Sequence, residues 1–244
     1  MPTPLTQQVA LVTGASRGIG KAIASALCHA GATVILTARD LNKLEQVVAE
    51  LETADGQAIA IRADITREDD VESLFTQIEE HYGRINLLVN NAGLGFGQNI
   101  TDMTLKIWQD TLDVNLTGAF LCSRAAMRSM LSLDGGRIIN IGSISALAPR
   151  PGACAYTTSK AGLDGFTQAL ALEGRDHNIA VSIIHPGNTM TDIWAGKDDI
   201  LAVEPIMEPD HIAEQVVAMA QLPLSINILS SVILPTRQKL VGRG

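Results

Sequence analysis

The chain has 244 residues and a formal net charge of −8, with 46% hydrophobic but only 3% aromatic residues. This length suits a single α/β domain over 1–244 with an aliphatic core, and the acidic balance argues against a nucleic-acid or anionic-membrane partner. No apolar run approaches the roughly 18 residues of a membrane span, and the first residues lack the basic start of a signal peptide. Three cysteines at unrelated spacings indicate reduced thiols, so we expect a cytoplasmic protein. The five histidines show no metal-ligand spacing, and we expect no metal.

A short apolar stretch at 8–13 predicts a buried strand, and a glycine-rich turn follows it directly. The turn has the sequence GASRGIG, from Gly14 to Gly20, and leads into a helical pattern. In this context the glycines let the backbone approach a pyrophosphate, and the helix N-terminus offers N–H groups to the anion. A turn with a purely structural role would not need three glycines, so we interpret it as a dinucleotide-binding loop.

The second strand, predicted at 32–38, ends beside an arginine. In folds of this type an acidic residue there holds the 2′-hydroxyl of NAD, whereas an arginine accommodates a 2′-phosphate. Arg39 follows the strand, and Arg17 lies in the glycine turn. Two guanidinium groups and no carboxylate favour NADP. Arg39 is also compatible with an ordinary solvated residue at a helix start.

Strands and helices continue to alternate, which predicts right-handed crossovers and a parallel sheet. Asp64 and Ile65 follow the third strand, at 58–63, and Asn91 follows the fourth, at 85–89, within the sequence NNAG. A long helical pattern at 101–130 carries Asn115 in its middle, where an amide competes for backbone hydrogen bonds. This asparagine is either solvent-exposed by accident or marks an irregularity that holds a water. The later strands are predicted at 138–141, 180–185 and 226–234.

The stretch at 136–160 carries the chemistry. A buried strand ends before Ser143, and a helix predicted to begin near Cys154 carries Tyr156 and Lys160 one turn apart on one face. An opposite charge within about 4–6 Å lowers a pKa by roughly 1–3 units, so we expect the tyrosine pKa to move from about 10 toward neutrality. Such a tyrosine exchanges protons near physiological pH, and Ser143 would hold a carbonyl oxygen beside it. The YxxxK spacing alone is common on helices.

The segment at 187–209, after the sixth strand, is polar and irregular, and we predict a mobile flap over a substrate pocket. Arg150 either pairs with a substrate carboxylate or is an ordinary exposed loop residue. The candidate pocket walls, chosen by their distance in sequence from the catalytic positions, are Leu94, Phe96, Ser145, Leu147, Arg150, Asn188 and Trp194.

The motifs TGASRGIG, NNAG, YTTSK and the Pro-Gly pair after the sixth strand occur in order with Asn115 and Ser143. In this arrangement the chain resembles the short-chain dehydrogenase/reductase family over nearly its whole length. The resemblance implies a Rossmann-type, doubly wound sheet of seven parallel strands with helices on both faces. It also implies that Tyr156 is the general acid/base, that Lys160 lowers its pKa and holds the nicotinamide ribose, that Ser143 anchors the substrate oxygen, and that Asn115 keeps a water.

The resemblance further implies an NADP(H) site. Asp64 and the Ile65 amide would meet the adenine, Asn91 would flank the cofactor, and Thr189 and Thr191 would bind the carboxamide. The full set expected to bind the cofactor is Gly14, Ser16, Arg17, Gly18, Ile19, Gly20, Arg39, Asp64, Ile65, Asn91, Tyr156, Lys160, Thr189 and Thr191.

The expected reaction is hydride transfer between nicotinamide and a small ketone, aldehyde or 3-oxo/3-hydroxy acid. The family also includes reductases of acyl groups on acyl carrier protein. Asp134 and His177 occupy the places where those enzymes carry carrier-docking arginines, and the negative charge would repel an acidic partner. A non-catalytic NADP-binding sensor or structural protein is an alternative of another class, although all four catalytic positions are filled. From the resemblance we also expect a homotetramer or dimer.

Overall fold

The computed structural model describes residues 5–52, 57–95, 97–191 and 204–240. Across these ranges, seven parallel strands form one sheet in the order β3-β2-β1-β4-β5-β6-β7. The strands are β1 (Val9–Thr13), β2 (Thr33–Ala38), β3 (Gln57–Arg62), β4 (Leu87–Asn90), β5 (Gly136–Ile141), β6 (Ile179–Pro186) and β7 (Ser230–Ile233). The predicted Rossmann-type sheet is confirmed.

Helices cover both faces of this sheet. They are α1 (Gly18–His29), α2 (Leu41–Glu52), α3 (Glu68–Tyr82), α4 (Leu105–Leu112), α5 (Gly118–Leu131), α6 (Cys154–Gly174) and α7 (Asp210–Ala220). Successive residues of a strand point to opposite faces, so Ala10 and Val12 pack with α1, α2 and α7, while Val9 and Leu11 pack with α3, α5 and α6. The apolar runs of the central strands follow from this burial on two sides. None of the helices in the described ranges is long and apolar enough to cross a membrane.

Two elements differ substantially from their predicted bounds, whereas the other strands agree with theirs to within two residues. The last strand is four residues long, not the predicted 226–234, because the chain before it turns back: the Ile226 N–H donates to Pro223 O, and Ile226 O accepts from Arg137. The predicted helix at 101–130 is divided by a π-helical turn, Asp113–Thr117, between α4 and α5. Asn115 lies in that turn and is 1% exposed. The irregularity is therefore confirmed, and the alternative of an accidentally exposed residue is wrong.

The strand order places the site. The chain runs outward from β1 in both directions, so a crevice opens at the carboxyl ends of β1 and β4, where ligands bind in sheets of this kind. The glycine turn follows β1, NNAG follows β4, Ser143 follows β5, and the Pro-Gly pair ends β6. The glycine turn, NNAG, Ser143 and the Pro-Gly pair therefore meet at one edge of the sheet.

Candidate active site

The glycine turn joins β1 to α1 in a conformation that side chains would obstruct. Gly14 and Gly18 have φ values of 65° and 54°, in the left-handed region. A Cβ on Gly20 would overlap the Asn91 amide nitrogen and Gly14 O. No side chain caps the start of α1, so its first N–H groups and the positive end of its dipole remain available to an anion. These features fit the pyrophosphate of a dinucleotide.

Asn91 braces this turn from the neighbouring strand. Its Nδ2 donates to Thr13 O at 2.9 Å and to Gly14 O at 3.2 Å, and its backbone N–H donates to Thr13 Oγ1 at 3.0 Å. The side-chain amide is thus engaged with the loop backbone. The structure gives Asn91 a supporting role, and its direct contact with a cofactor stays a prediction.

Two arginines, Arg39 and Arg62, lie at the end of β2. Arg39 follows the strand and is exposed, and Arg17 is exposed in the glycine turn. Arg62, which the sequence analysis missed, pairs with Ala38 across β2 and β3, and its Nε donates to Arg39 O at 3.2 Å. The register of two parallel strands brings it there, and no local motif signals it. Asp64 lies close by, and its Oδ1 accepts from the backbone and hydroxyl of Thr66 at 3.1 and 2.8 Å.

Ser143, Tyr156 and Lys160 converge beyond the end of β5. Helix α6 begins at Cys154, as predicted, and the Lys160 Nζ lies 5.8 Å from the centre of the Tyr156 ring. Lys160 is 4% exposed, and its Nζ donates to Ile141 O at 2.8 Å. The Ser143 hydroxyl hydrogen-bonds Tyr156 and also accepts from the Ser145 N–H at 3.1 Å. These contacts hold the serine and tyrosine hydroxyls side by side.

Asn115 ties the catalytic helix to the loop after β4. Its Nδ2 donates to Ser159 Oγ and to Leu94 O, both at 2.9 Å, and its Oδ1 accepts from the Leu94 N–H at 2.7 Å. The Ser159 hydroxyl in turn donates to Tyr156 O at 2.7 Å. The π-helical turn is what directs this amide inward. The predicted role of Asn115 in holding a water stays a prediction.

The loop after β6 closes the crevice on the other side. Thr189 is buried and its hydroxyl donates to Gly187 O at 3.1 Å, while Thr191 Cγ2 would lie 3.3 Å from a Cβ on Gly18. The loop therefore lies against the glycine turn. From the NNAG side, a Cβ on Gly93 would lie 3.6 Å from the Lys160 Nζ. The dinucleotide loop and the catalytic group thus border one crevice.

Known proteins share this arrangement. The family model for short chain dehydrogenases matches residues 8–200. The chain belongs to the short-chain dehydrogenase family. It is 42% identical over 207 residues to a 3-oxoacyl-[acyl-carrier-protein] reductase of Synechocystis, covering 84% of this chain and 82% of that protein. It is 34% identical to an uncharacterized oxidoreductase of Staphylococcus saprophyticus, covering 95% and 98%.

Solved structures of the family agree with the fold. A metagenomic short-chain oxidoreductase in complex with NADP is 38% identical, with a TM-score of 0.85, over 96% of this chain and 99% of that one. A short-chain type dehydrogenase/reductase from Mycobacterium marinum has a TM-score of 0.87 at 33% identity, over 94% of each chain. The predicted family, and with it an oxidoreductase enzyme, is confirmed.

The prediction that the pKa of Tyr156 falls toward neutrality is wrong in direction. Burial raises the pKa of Tyr156 above its ordinary value of 10.0, and the hydrogen bond with Ser143 opposes this only in part. The ammonium of Lys160 does not reverse the shift because it is directed at Ile141 O and is itself desolvated. Burial lowers the pKa of Lys160 from 10.5 to about 8.

Lys160 therefore gives folding stability a pH dependence. Below about pH 8 the folded protein carries a desolvated ammonium; between about pH 8 and 10.5 it releases a proton that the unfolded chain keeps, so stability rises with pH. In cofactor-free protein, we compare the free energy of unfolding of the parent with that of Lys160→Met. We expect the difference, parent minus variant, to rise over this window by up to about 3 kcal/mol. Denaturant unfolding at pH 7.5 and 9.5 should show about 2 kcal/mol of this rise, with Lys239→Met as the exposed control. Parallel pH curves for the parent and Lys160→Met would contradict it.

Arg150 is not the ordinary exposed loop residue that one of its two predictions described, and its pairing with a substrate carboxylate stays a prediction. It is half-buried, its Nη2 pairs with Glu204 Oε2 at 2.5 Å, and it also donates to Asn188 Oδ1 at 3.2 Å. Asn188 is held further by Gln238, whose Oε1 accepts from the Asn188 N–H at 2.8 Å. Because a carboxylate of the chain already balances the guanidinium, Arg150 is a weak candidate for binding a substrate carboxylate.

A cleft of about 630 Å³ opens at the start of α6. Its described lining includes Arg150, Ala153 and Thr157 but neither Tyr156 nor Ser143. Of the predicted pocket walls, Arg150 alone is among these described lining residues. Phe96, Trp194 and residues 192–203 of the predicted flap lie outside the described residues. The described ends of that segment pair with each other, with Met190 N–H donating to Met207 O at 2.8 Å.

The sequence interpretation also missed the buried His185, whose ring contacts Ser143 O, and the half-buried Asp164, which contacts that ring. His185 precedes the Pro-Gly pair on β6, and Asp164 follows Lys160 by four residues on α6. The spacing of Tyr156, Lys160 and Asp164 is a helical i, i+4, i+8 series, which places all three along one face. That signal was present in the sequence. The pairing of Asp164 with His185 was not, because it depends on how α6 packs against the sheet.

Proposed function

We propose that this chain is an NADP(H)-dependent oxidoreductase that interconverts small carbonyl and alcohol compounds, with Tyr156 as general acid/base. The observation that carries the proposal is the placement of Ser143, Tyr156 and Lys160 along the same crevice as the glycine turn. The related metagenomic enzyme in complex with NADP supports the choice of cofactor. The cofactor, when bound, supplies or accepts the hydride.

The chain's own residues move the proton. The raised pKa of Tyr156 keeps its phenol protonated at neutral pH, so it can donate a proton to a carbonyl oxygen as that oxygen gains charge. Ser143 donates a second hydrogen bond to the same oxygen and fixes its position. Lys160, fixed by Ile141 O, places a positive charge beside the phenolate that remains and stabilises it. Asn115 holds α6 in register through Ser159.

The residues proposed to bind the cofactor begin with the glycine turn and the start of α1. Gly14, Gly18 and Gly20 allow the pyrophosphate to approach, and the N–H groups at Ser16 and Ile19 lie in the same turn. Arg17 and Arg39 would bind the 2′-phosphate. The remaining proposed contacts are made by Asp64, Ile65, Asn91, Thr189 and Thr191, together with Tyr156 and Lys160.

Arg39→Ala tests the preference for NADP. Loss of a charge-assisted hydrogen bond to phosphate costs about 1.5–3 kcal/mol, so we expect the Kd for NADPH to rise at least about tenfold while that for NADH changes little. Fluorescence titration of both cofactors measures it. Arg84→Ala, an exposed arginine away from the crevice, is the control. An equal loss for both cofactors would contradict a phosphate contact.

The substrate class has a second candidate. The 42% identity to a 3-oxoacyl-[acyl-carrier-protein] reductase favours an acyl chain on its carrier. Against it, the exposed Asp134 and His177 occupy the expected arginine positions, and the chain carries −8 overall. We therefore propose small carbonyl compounds first, with the carrier-bound acyl group second.

One panel tests both candidates. Ketones, aldehydes, 3-oxo acids and a 3-oxoacyl group on acyl carrier protein or on coenzyme A are assayed with NADPH and NADH in parallel. Turnover of free carbonyl compounds supports the first proposal. A kcat/KM at least tenfold higher for the carrier-bound group than for the coenzyme A form would favour the second. Cofactor binding without turnover of any member would instead revive the non-catalytic sensor.

We also propose one cytoplasmic domain over 1–244 that assembles as a homotetramer or dimer. One sheet takes strands from β1 near the start of the chain to β7 near its end, which supports a single domain. Helices α5 and α6 present apolar side chains at the surface, among them Phe120 at 41% and Leu172 at 62% exposure, which supports self-association. Light scattering distinguishes tetramer, dimer and monomer.

A further inference from the structure

A buried histidine contacts the backbone carbonyl of Ser143. His185 is on β6 and is 1% exposed. Its Nδ1 lies 3.0 Å from Ser143 O, and its Nε2 lies 3.1 Å from Asp164 Oδ1. The proposed mechanism makes no use of this ring. The other histidines of the chain are all exposed: His29, His81, His177 and His211.

The local sequence leaves room for this imidazole. A Cβ on Gly142 would lie 2.8 Å from the His185 Nδ1 and 3.1 Å from its Cε1, so any larger residue at 142 would displace the ring. Asp164 reaches the other edge of the ring from α6, and its second oxygen accepts from Gln168 Nε2 at 3.0 Å. The ring is thus held between the loop that carries Ser143 and the helix that carries Tyr156.

Both partners of the ring are hydrogen-bond acceptors. A backbone carbonyl and a carboxylate have no proton to offer, and a neutral imidazole has a single N–H. A neutral His185 would satisfy one partner and turn a lone pair toward the other. A doubly protonated ring donates to Ser143 O and to Asp164 Oδ1 at once, and the carboxylate balances its charge.

We propose that His185 is a positioning residue for Ser143: Asp164 holds its ring doubly protonated, and the ring anchors the Ser143 carbonyl. Loss of the hydrogen bond from the ring to Ser143 O loosens the serine whose hydroxyl bonds Tyr156. Only the kinetic part of this inference rests on the proposed function.

Few charges face the ring. From α6 they are Asp164 and, one turn earlier, Lys160, whose Nζ is bound to Ile141 O on β5. From the far side, β7 contributes Ser230, Ser231, Val232 and Ile233, none of which titrates. Among the described residues, Asp164 is thus the carboxylate that balances a charge on His185.

Nuclear magnetic resonance of the cofactor-free protein tests the protonation state without any assay. The exposed histidines exchange their ring protons quickly with water, so slowly exchanging ring N–H signals report on His185. We expect two such signals at pH 7 in the parent and none in His185→Gln. We expect one in Asp164→Asn, because a neutral ring can donate to Ser143 O and accept from the new amide. A single signal in the parent would overturn the proposal.

Kinetics test the positioning. With NADPH and a carbonyl compound that the enzyme reduces, we expect His185→Gln to lower kcat about 10-fold to 100-fold while the KM for NADPH changes less than about twofold. Asp164→Asn should lower kcat less than His185→Gln does, because a neutral ring still donates to Ser143 O. Gln168→Ala, which removes the other partner of Asp164, is the control and should leave kcat near that of the parent. An unchanged kcat in His185→Gln would overturn the positioning role. A parent enzyme without turnover would contradict the proposed function and leave the resonance result standing.

Discussion

Tyr156→Phe lowers kcat for carbonyl reduction at least about 10²-fold, while the Kd for NADPH changes less than about threefold. The phenol oxygen is the group placed to donate a proton, and it is held beside the Ser143 hydroxyl. Phenylalanine keeps the ring and its packing and removes only that oxygen. Steady-state kinetics at saturating NADPH, with a fluorescence titration for binding, separates the two effects.

Tyr82→Phe is the matched control, since Tyr82 is the chain's other tyrosine and ends α3 at the opposite edge of the sheet. It should leave kcat within about twofold of the parent. Near-normal turnover in Tyr156→Phe, with the same NADPH affinity, would remove the acid role from Tyr156. Loss of NADPH binding in the same variant would instead indicate a fault in folding or in the cofactor site.

Gly20→Ala disrupts the dinucleotide loop. The added Cβ overlaps the Asn91 amide nitrogen and Gly14 O, so the bracing hydrogen bonds from Asn91 must shift. Overpacking of this kind costs about 1–3 kcal/mol of stability, and we expect the Kd for NADPH to rise at least about tenfold because the loop can no longer approach the pyrophosphate. Thermal unfolding and fluorescence titration measure the two quantities.

Gly165→Ala is the control for this substitution. Gly165 lies in α6, and a Cβ there meets nothing within 4 Å, so the variant should be unchanged or more stable by up to about 1 kcal/mol. It also shows that alanine for glycine is not harmful in itself. If Gly20→Ala binds NADPH as the parent does, close backbone approach at this turn is not what holds the cofactor.

Much of the fold could be predicted from the sequence because strands and helices have local sequence patterns. Buried strands of a parallel sheet are continuous apolar runs, and the Tyr156–Lys160 spacing needs nothing beyond a helix that begins near Cys154. The length of the last strand was overestimated because a contact with a distant strand decides where it begins. The run at 226–234 is mostly apolar, yet Arg137 of a distant strand binds Ile226 O and holds the chain in a turn there.

The electrostatics of the site could not be obtained in the same way. The sequence places an ammonium near a phenol, and from proximity alone the pKa of Tyr156 should fall. The structure directs the Lys160 Nζ at Ile141 O and buries both groups, and desolvation then outweighs attraction. Proximity in sequence says nothing of how much water remains around two charges.

The sequence by itself determined the family, the order of strands and helices, and which residues stand at the carboxyl edge of the sheet, because these depend on short-range periodicity and on motifs of adjacent residues. Only the tertiary structure decided the direction of the Tyr156 pKa, the pairing of Arg150 with Glu204, and the contact of His185 with Asp164 and Ser143. Each of these joins residues from separate elements. Their energies depend on burial and on angstrom-scale distances, which exist only once the layers have packed.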